Sequence, residues 1–390
     1  MGCRASAIWD EGYLAYDFGD HPMNPVRLEL TIRMARGLGV LERLEVLPPE
    51  LADDATLLTA HEADYLAAVR TASEDPTFSG YGLGTDDDPV FPGMYDASAL
   101  IAGGSVVAAR QVWGGHVEHA VNIAGGLHHA MPGHASGFCV FNDVVLAIRA
   151  MLAAGARKVA YVDIDVHHGD GVQAAFYDDP RVLTISLHQD PRTLFPGTGL
   201  PTEIGRGAAE GTSVNVALPP GTDDGGWLRA FRAVAPGAVR AFGPDVLVTQ
   251  CGCDTHHEDP LANLELSIEG QRAAIGELHA LAHEASGGKW LAFGGGGYGV
   301  IRCVPRTWTH LLAEASGEPI ALDTAVPEEW TRYLRERGVR GELPRTMGEG
   351  RALHVEPWAP GGDSWLDRSI GATRRAAFPL LGLDPDDPRD

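Results

Sequence analysis

The chain reads as an α/β protein: one open parallel β-sheet flanked by helices on both faces. Two observations predict this. Apolar strand-like runs alternate with helix-like stretches along the chain, the pattern of a parallel sheet joined by crossover helices. At 390 residues there is also ample chain for one large core, and α/β folds of this size often form a single domain.

The elements follow in order. Residues 143–153 read as a helix, 159–165 as a strand opening on apolar Val159 to Val162, and 182–187 and 214–218 as further strands. A helix is expected over 227–242, then a strand over 246–250. The helix at 267–284 starts at Ser267-Ile-Glu-Gly, a plausible cap on an apolar-periodic run. The strand at 289–293 ends in Leu291-Ala-Phe293. No internal repeat or long linker divides the chain, so residues 1–390 are read as one domain. From about residue 343 the composition shifts to Pro, Gly and charge, and this C-terminal extension is expected to pack loosely or fray.

Composition excludes several function classes. A formal net charge of −23 disfavours nucleic acid, whose phosphates need Lys/Arg clusters, and suits a partner with basic flanks. No stretch approaches 18 consecutive apolar residues, so no membrane span is expected. The N-terminus lacks the charged-then-apolar pattern of a secretory signal, and its match to the minimal myristoylation pattern is read as coincidence. Five sparse cysteines, an odd number, predict reduced thiols in a cytoplasmic compartment.

The densest chemistry lies in Tyr161-Val-Asp-Ile-Asp-Val-His-His-Gly-Asp170, where three carboxylates and two imidazoles fall within eight residues. On a continuing strand, Asp163, Asp165 and His167 would share one face while Ile164 and Val166 point into a core. An Asp and a His two positions apart on a strand edge make two-thirds of an open zinc site. The plain alternative, a solvated strand-to-helix turn, explains the alternation with apolar residues less well. Other segments also read as strand ends: Asp254 after the strand at 246–250, His128-His129 within Gly125-Gly-Leu-His-His-Ala130, and Tyr298 after the run of glycines from Gly294. Ligands of open α/β sheets bind beyond the carboxyl ends of strands, so these groups are expected to meet. The glycine run is no phosphate loop, because no Lys-Ser/Thr follows it.

The ordered motifs His21-Pro-Met-Asn-Pro25 with Arg27, GGLHHA, ASGFCVFND, YVDIDVHHGDG, Phe195-Pro-Gly-Thr-Gly199, QCGCD and GGGGY resemble the zinc-dependent histone deacetylase superfamily. They are nearest its class I branch and the bacterial acetoin-utilisation deacetylases. The resemblance spans about residues 7–310. It implies an arginase/deacetylase-like fold that releases acetate from N-acetyl-lysine in a protein substrate. It implies zinc, or Fe2+ in its place, on Asp165, His167 and Asp254. His128 paired with Asp163 and His129 paired with Asp170 become the acid–base groups, and Tyr298 the oxyanion donor. A potassium ion is implied at Asp163, Asp165, His167, Ser186 and Leu187, partly through backbone carbonyls.

Phe138 and Phe195 match the aromatics that grip the lysine stem, with Gly137 and Leu261 beside them in the substrate-binding set. Asp87 matches a rim aspartate that holds the substrate backbone, although neighbouring Asp86 and Asp88 leave that register open by one. His21, Met23 and Arg27 match the acetate pocket beneath the metal. The chain departs from many class I members at Asn24 and at Thr255-His-His-Glu258, whose histidines are read as surface groups. Rival readings are an acetylpolyamine amidohydrolase, a two-metal ureohydrolase and a non-catalytic acetyl-lysine binder. Gly169 stands where a second metal would want a carboxylate, Leu127-His-His-Ala130 argues against the polyamine enzymes, and the survival of every ligand argues against the binder.

Overall fold

The computed structural model describes residues 2–390. Eight strands form one parallel sheet: β1 (Ala5–Ile8), β2 (Glu45–Leu47), β3 (His119–Asn122), β4 (Val159–Asp163), β5 (Val182–Gln189), β6 (Ser213–Leu218), β7 (Val246–Gln250) and β8 (Trp290–Phe293). Their spatial order is β2-β1-β3-β8-β7-β4-β5-β6. Helices cover both faces, and β3 to β8 are buried along their full length. That is the condition under which a parallel sheet reads as apolar runs rather than alternation.

The order places the chemistry. β3, β8, β7 and β4 are consecutive neighbours, and each chemistry-bearing segment leaves the carboxyl end of one of them. Registry then aligns the ends: Asp163 on β4 lies opposite both Gln250 on β7 and Ser186 on β5.

The structure adjusts several expectations. β4 stops at Asp163, so Asp165 and His167 sit on the loop beyond the strand. The Ile164 amide still bonds Gln250 O at 3.0 Å, after which carboxylate oxygens replace the ladder as acceptors. The helix expected from Trp227 starts a turn earlier, at Asp224, because Asp223 caps it by accepting from the Gly226 amide. Ser267 is itself the cap of the helix Ile268–Ala285. The short strands β1 to β3 lay outside the sequence reading, because runs of three or four residues carry too little periodicity, and so did the long helix Met94–Trp113, which is buried on most sides and lacks a clear polar face.

The C-terminal extension does not fray. Its helix Trp365–Leu381 packs on edge strand β6, and Thr373 Oγ1 donates to Asn215 O at 2.6 Å. Buried Arg374 donates to the carbonyls of Ala233, Pro385 and Asp390. Covering an edge strand this way hides its unpaired backbone groups.

Candidate active site

Each functional side chain is set by the backbone just beyond a strand. After β3 the chain turns through Gly125 and Gly126, whose neighbourhood is fixed by buried Asp143. That carboxylate accepts from the Leu127 amide at 2.7 Å and the Gly126 amide at 3.0 Å. Asn142 adds bonds from its amide to the carbonyls of His128 and Ala130. The histidine pair therefore projects from a loop whose polar backbone is satisfied by two residues at the start of the helix Asp143–Ala153.

His128 Nδ1 lies 2.7 Å from Asp163 Oδ2 and His129 Nδ1 lies 2.7 Å from Asp170 Oδ1. The two free ring nitrogens face each other at 3.0 Å, so one proton at most fits between them. The dyads are unequal in charge. Burial opposes a proton on His128, but Asp163 and Asp165 outweigh it and raise the group to about 9. Burial and the neighbouring His128 push His129 down to about 4. Tyr161 donates its hydroxyl to Asp163 Oδ2 at 2.6 Å, so the carboxylate behind His128 is shared whereas Asp170 serves His129 and its own helix start.

Asp165, His167 and Asp254 converge, all buried, with donor atoms within 4.8 Å of one another. His167 Nδ1 is 3.1 Å from Asp165 Oδ1 and 3.2 Å from Asp254 Oδ2. The other carboxylate oxygens are held by the backbone: the Val166 amide bonds Asp254 Oδ1 at 2.9 Å and the Gly296 amide bonds Asp165 Oδ2 at 2.8 Å. Two glycines make this possible. A Cβ on Gly252 would lie 2.0 Å from Asp165 Oδ2, and one on Gly296 would lie 2.0 Å from Asp254 Oδ2.

This donor set fits a divalent cation. Burial and the facing Asp165 raise Asp254 to about 7, and the two carboxylates lift His167 to about 10 against its burial. Both shifts record two carboxylates brought face to face in a buried place, and a cation between them would offset their repulsion. Two oxygens and one imidazole suit zinc or iron(II) and leave a position open.

A narrow pocket opens above these groups, lined by Met23, His128, His129, Gly137, Cys139, Asp165, His167 and Tyr298 among others. Gly137 and Phe138 both adopt positive φ, at 54° and 68°, which turns the Phe138 ring against His21 at 4.5 Å and Tyr298 at 5.7 Å. Phe195 stands at the mouth, 42% exposed, 5.0 Å from the His129 ring. The Tyr298 amide is anchored on Asp259 Oδ2 at 2.8 Å, and the other oxygen of that carboxylate holds the Leu261 amide at 3.0 Å. Leu261 is thereby tied to the tyrosine, although it lies outside the pocket lining. Arg27 lies buried behind the glycine run, donating to the carbonyls of Gly295 and Gly297 and packing over Trp308.

The acidic loop narrows its own register to Asp86 and Asp87. Asp86 and Asp87 are exposed, while Asp88 is buried and raised to about 8, chiefly by burial. Asp88 is therefore no rim residue. Ser186, opposite Asp163, bonds His188 Nδ1 at 2.9 Å, and neighbouring Leu187 is buried.

Within Thr255-His-His-Glu258 only part of the loop departs from the expected surface placement: Glu258 is exposed and His257 half-buried, whereas Thr255 and His256 are buried. His256 is 1% exposed and its ring bonds Glu349 Oε1 at 3.1 Å, beside Arg306 at 2.9 Å from the same oxygen. The C-terminal extension supplies that glutamate, so the partner of His256 comes from the tail.

Sequence reasoning missed Gln250, Tyr161, Asn142, Asp143 and Asp259, all polar groups that hold the reactive ones. Gln250 alone carried a signal, since it ends a strand immediately before Cys251-Gly-Cys-Asp254.

An open parallel sheet with an acid–imidazole cluster and two carboxylate-backed histidines beyond its central strands defines a class. The chain belongs to the histone deacetylase family: the histone deacetylase domain model matches residues 21–315. Among similar proteins is acetoin utilization protein AcuC of Bacillus subtilis (strain 168), 42% identical over 328 residues, 83% of this chain and 84% of that protein. AcuC of Staphylococcus aureus (strain MSSA476) is 35% identical over 332 residues, 84% of this chain and 85% of the relative. AcuC of Staphylococcus xylosus is 36% identical over 328 residues, 83% and 85% respectively. Membership supports a hydrolase of the deacetylase type. No helix among the described residues is long and apolar enough to cross a membrane.

Proposed function

We propose that this protein hydrolyses N-acetyl-lysine in protein substrates and releases acetate, in the cytoplasm and in the service of acetoin utilisation through control of acetyl-CoA synthesis. One observation carries the reading: the Asp165–His167–Asp254 cluster faces two carboxylate-backed imidazoles and Tyr298 across one narrow pocket. The names of the relatives support the acetoin setting, and the net charge of −23 suits lysines in basic surroundings.

Asp165, His167 and Asp254 would hold zinc, or iron(II). Such an ion, when bound, polarises a carbonyl and acidifies water. The chain's own groups do the rest. His129, oriented by Asp170, takes the proton of the attacking water and returns it to the departing lysine amine, a transfer worth about 10²–10⁴ in rate. His128, fixed by Asp163, orients the water. The Tyr298 hydroxyl donates to the oxygen on which negative charge develops. Phe138 and Phe195, with Gly137, enclose the aliphatic stem and keep water out, and Leu261 meets the substrate only outside the pocket, on the loop tied to Tyr298 through Asp259. Asp87 at the exposed loop tip holds the substrate backbone. Met23 and Arg27 receive the acetate, and the guanidinium, which meets only carbonyls and an indole, has charge to offer it. Potassium at Asp163, Asp165, His167, Ser186 and Leu187 would brace the loop after β4.

The test is turnover of acetyl-lysine peptides and acetylpolyamines side by side, with metal analysis. Peptides should be the better substrates, and a hydroxamate should inhibit. Faster turnover of polyamines would overturn the substrate class. Asp165→Ala and Asp254→Ala should each lose the metal of this site and nearly all activity, and retention of that metal in both would refute the ligand set.

A further inference from the structure

A second group of metal-ligating side chains lies at the opposite end of the sheet. His119 is the first residue of β3, in register with Trp290 at the start of β8, whereas the active site lies beyond the strands' carboxyl ends. His279 and His283 stand one turn apart on the helix Ile268–Ala285, the i, i+4 spacing by which helices present two imidazoles to one ion. Cys3 joins them from the N-terminal segment, its amide anchored on Ser316 O at 3.0 Å.

Three of the donors already stand at the separations of a coordination shell. Cys3 Sγ is 3.7 Å from His279 Nε2 and 3.6 Å from His283 Nε2, and those nitrogens are 3.1 Å apart. A tetrahedral zinc, with bonds of about 2.05 Å to nitrogen and 2.3 Å to sulfur, sets edges of about 3.6 Å between S and N and about 3.3 Å between nitrogens. One donor from each of the four residues falls within 4.8 Å of the others.

The surroundings point the same way. His119 Nδ1 lies 2.7 Å from Ala315 O and donates to it, which leaves Nε2 with its lone pair free. Nε2 is buried and has no hydrogen-bond partner among the described residues, and its ring meets those of His279 and His283 edge-on at 4.8 and 5.0 Å. His279 has the Glu314 carboxylate 3.6 Å from its Nδ1 and stacks on Trp290. Metal-binding imidazoles characteristically give their second nitrogen to a carbonyl or carboxylate in this manner. Three imidazoles and a thiol without a ligating carboxylate select a borderline-soft divalent ion.

We propose that Cys3, His119, His279 and His283 form a second metal site for zinc or a zinc-like divalent cation, four-coordinate and structural. Four protein ligands leave no open position, which is the mark of a structural site. Binding displaces the Cys3 thiol proton to solvent. The ion ties the N-terminal segment to β3 and to the helix Ile268–Ala285. This inference is independent of the deacetylase reading.

Cobalt(II) tests it, because only this site offers a thiolate. Metal-stripped full-length protein titrated with cobalt should take up two equivalents and develop a near-ultraviolet thiolate-to-cobalt band. Cys3→Ser should lose one equivalent and the band while keeping its turnover. His283→Ala, whose ring is exposed and whose loss does not threaten the fold, should weaken that equivalent at least tenfold. Asp254→Ala should lose the other equivalent and keep the band. Uptake of a single equivalent by the wild type, or a band that survives Cys3→Ser, would overturn the proposal.

Discussion

Gln250 donates its side-chain amide to Asp165 Oδ2 at 2.7 Å, across the gap between the ends of β7 and β4. Its other end accepts from the Gly252 amide at 2.7 Å, so the glutamine is locked at both ends and fixes which oxygen of Asp165 faces the pocket. Groups that orient a ligand in this way typically contribute 10–100-fold to metal affinity. Gln250→Leu should therefore weaken zinc binding at the catalytic site by about that factor with the fold intact. Competition against a calibrated chelator measures it, and wild-type affinity would remove Gln250 from the argument.

Tyr298→Phe deletes one hydroxyl and leaves the ring that packs on Phe138. Removal of a single oxyanion donor costs about 10²–10³ in kcat. Metal content and thermal unfolding should not change, because the backbone anchor on Asp259 remains. Turnover within a few-fold of wild type would eliminate the oxyanion role.

The histidine dyads should respond unequally. Asp163 is shared among His128, the Tyr161 hydroxyl and the Asp165 amide, which leaves its imidazole less free to exchange a proton. His129→Ala should cost more kcat than His128→Ala, up to the 10²–10⁴ of a general acid–base group, with metal retained in both. A lower kcat for His128→Ala would exchange the roles.

Glu349 supplies a pH-dependent contribution far from the chemistry. Burial would raise this carboxyl, yet His256 and Arg306 outweigh it and hold the group at about 2, below its ordinary 4.5. A depressed acid stabilises the fold above its unfolded pKa and loses that contribution as pH falls towards the folded value. Burial lowers His256, so at pH 6 the charge partner is chiefly Arg306, and Glu349→Gln should be less stable than wild type there by up to about 1 kcal/mol after solvent screening. The gap should close between pH 4.5 and 2. Denaturant unfolding across that range decides it, and a gap independent of pH would mean that the loss is one of packing.

The reactive groups were legible because their chemistry is unusual at short range: three carboxylates and two imidazoles in eight residues have few bland explanations. The central strands were legible because burial on both faces makes their runs apolar. Asn142 and Asp259 were illegible because a single amide or carboxylate in a loop acquires meaning only from what the fold brings to it. His256 shows the same from the other side: its partner Glu349 is 93 residues away, and no local pattern announces that the tail will cover it. The C-terminal extension misled for a related reason, since its Pro- and Gly-rich composition describes the linker before Trp365 better than the helix that follows.

Gly252 and Gly296 carry a consequence for how this protein tolerates change. Beside its backbone amide, each contributes a hollow into which a carboxylate oxygen fits 2.0 Å from where a methyl group would sit. A survey of substitutions scored by activity would rank both beside Asp165 and Asp254, although neither can bind, donate a side-chain proton or ionise. Repair would have to come from reshaping the loop after β4, because no substitute is smaller than glycine. The architecture thus spends part of its sequence on keeping space empty, and drift at those two positions is closed as firmly as at the ligands they accommodate.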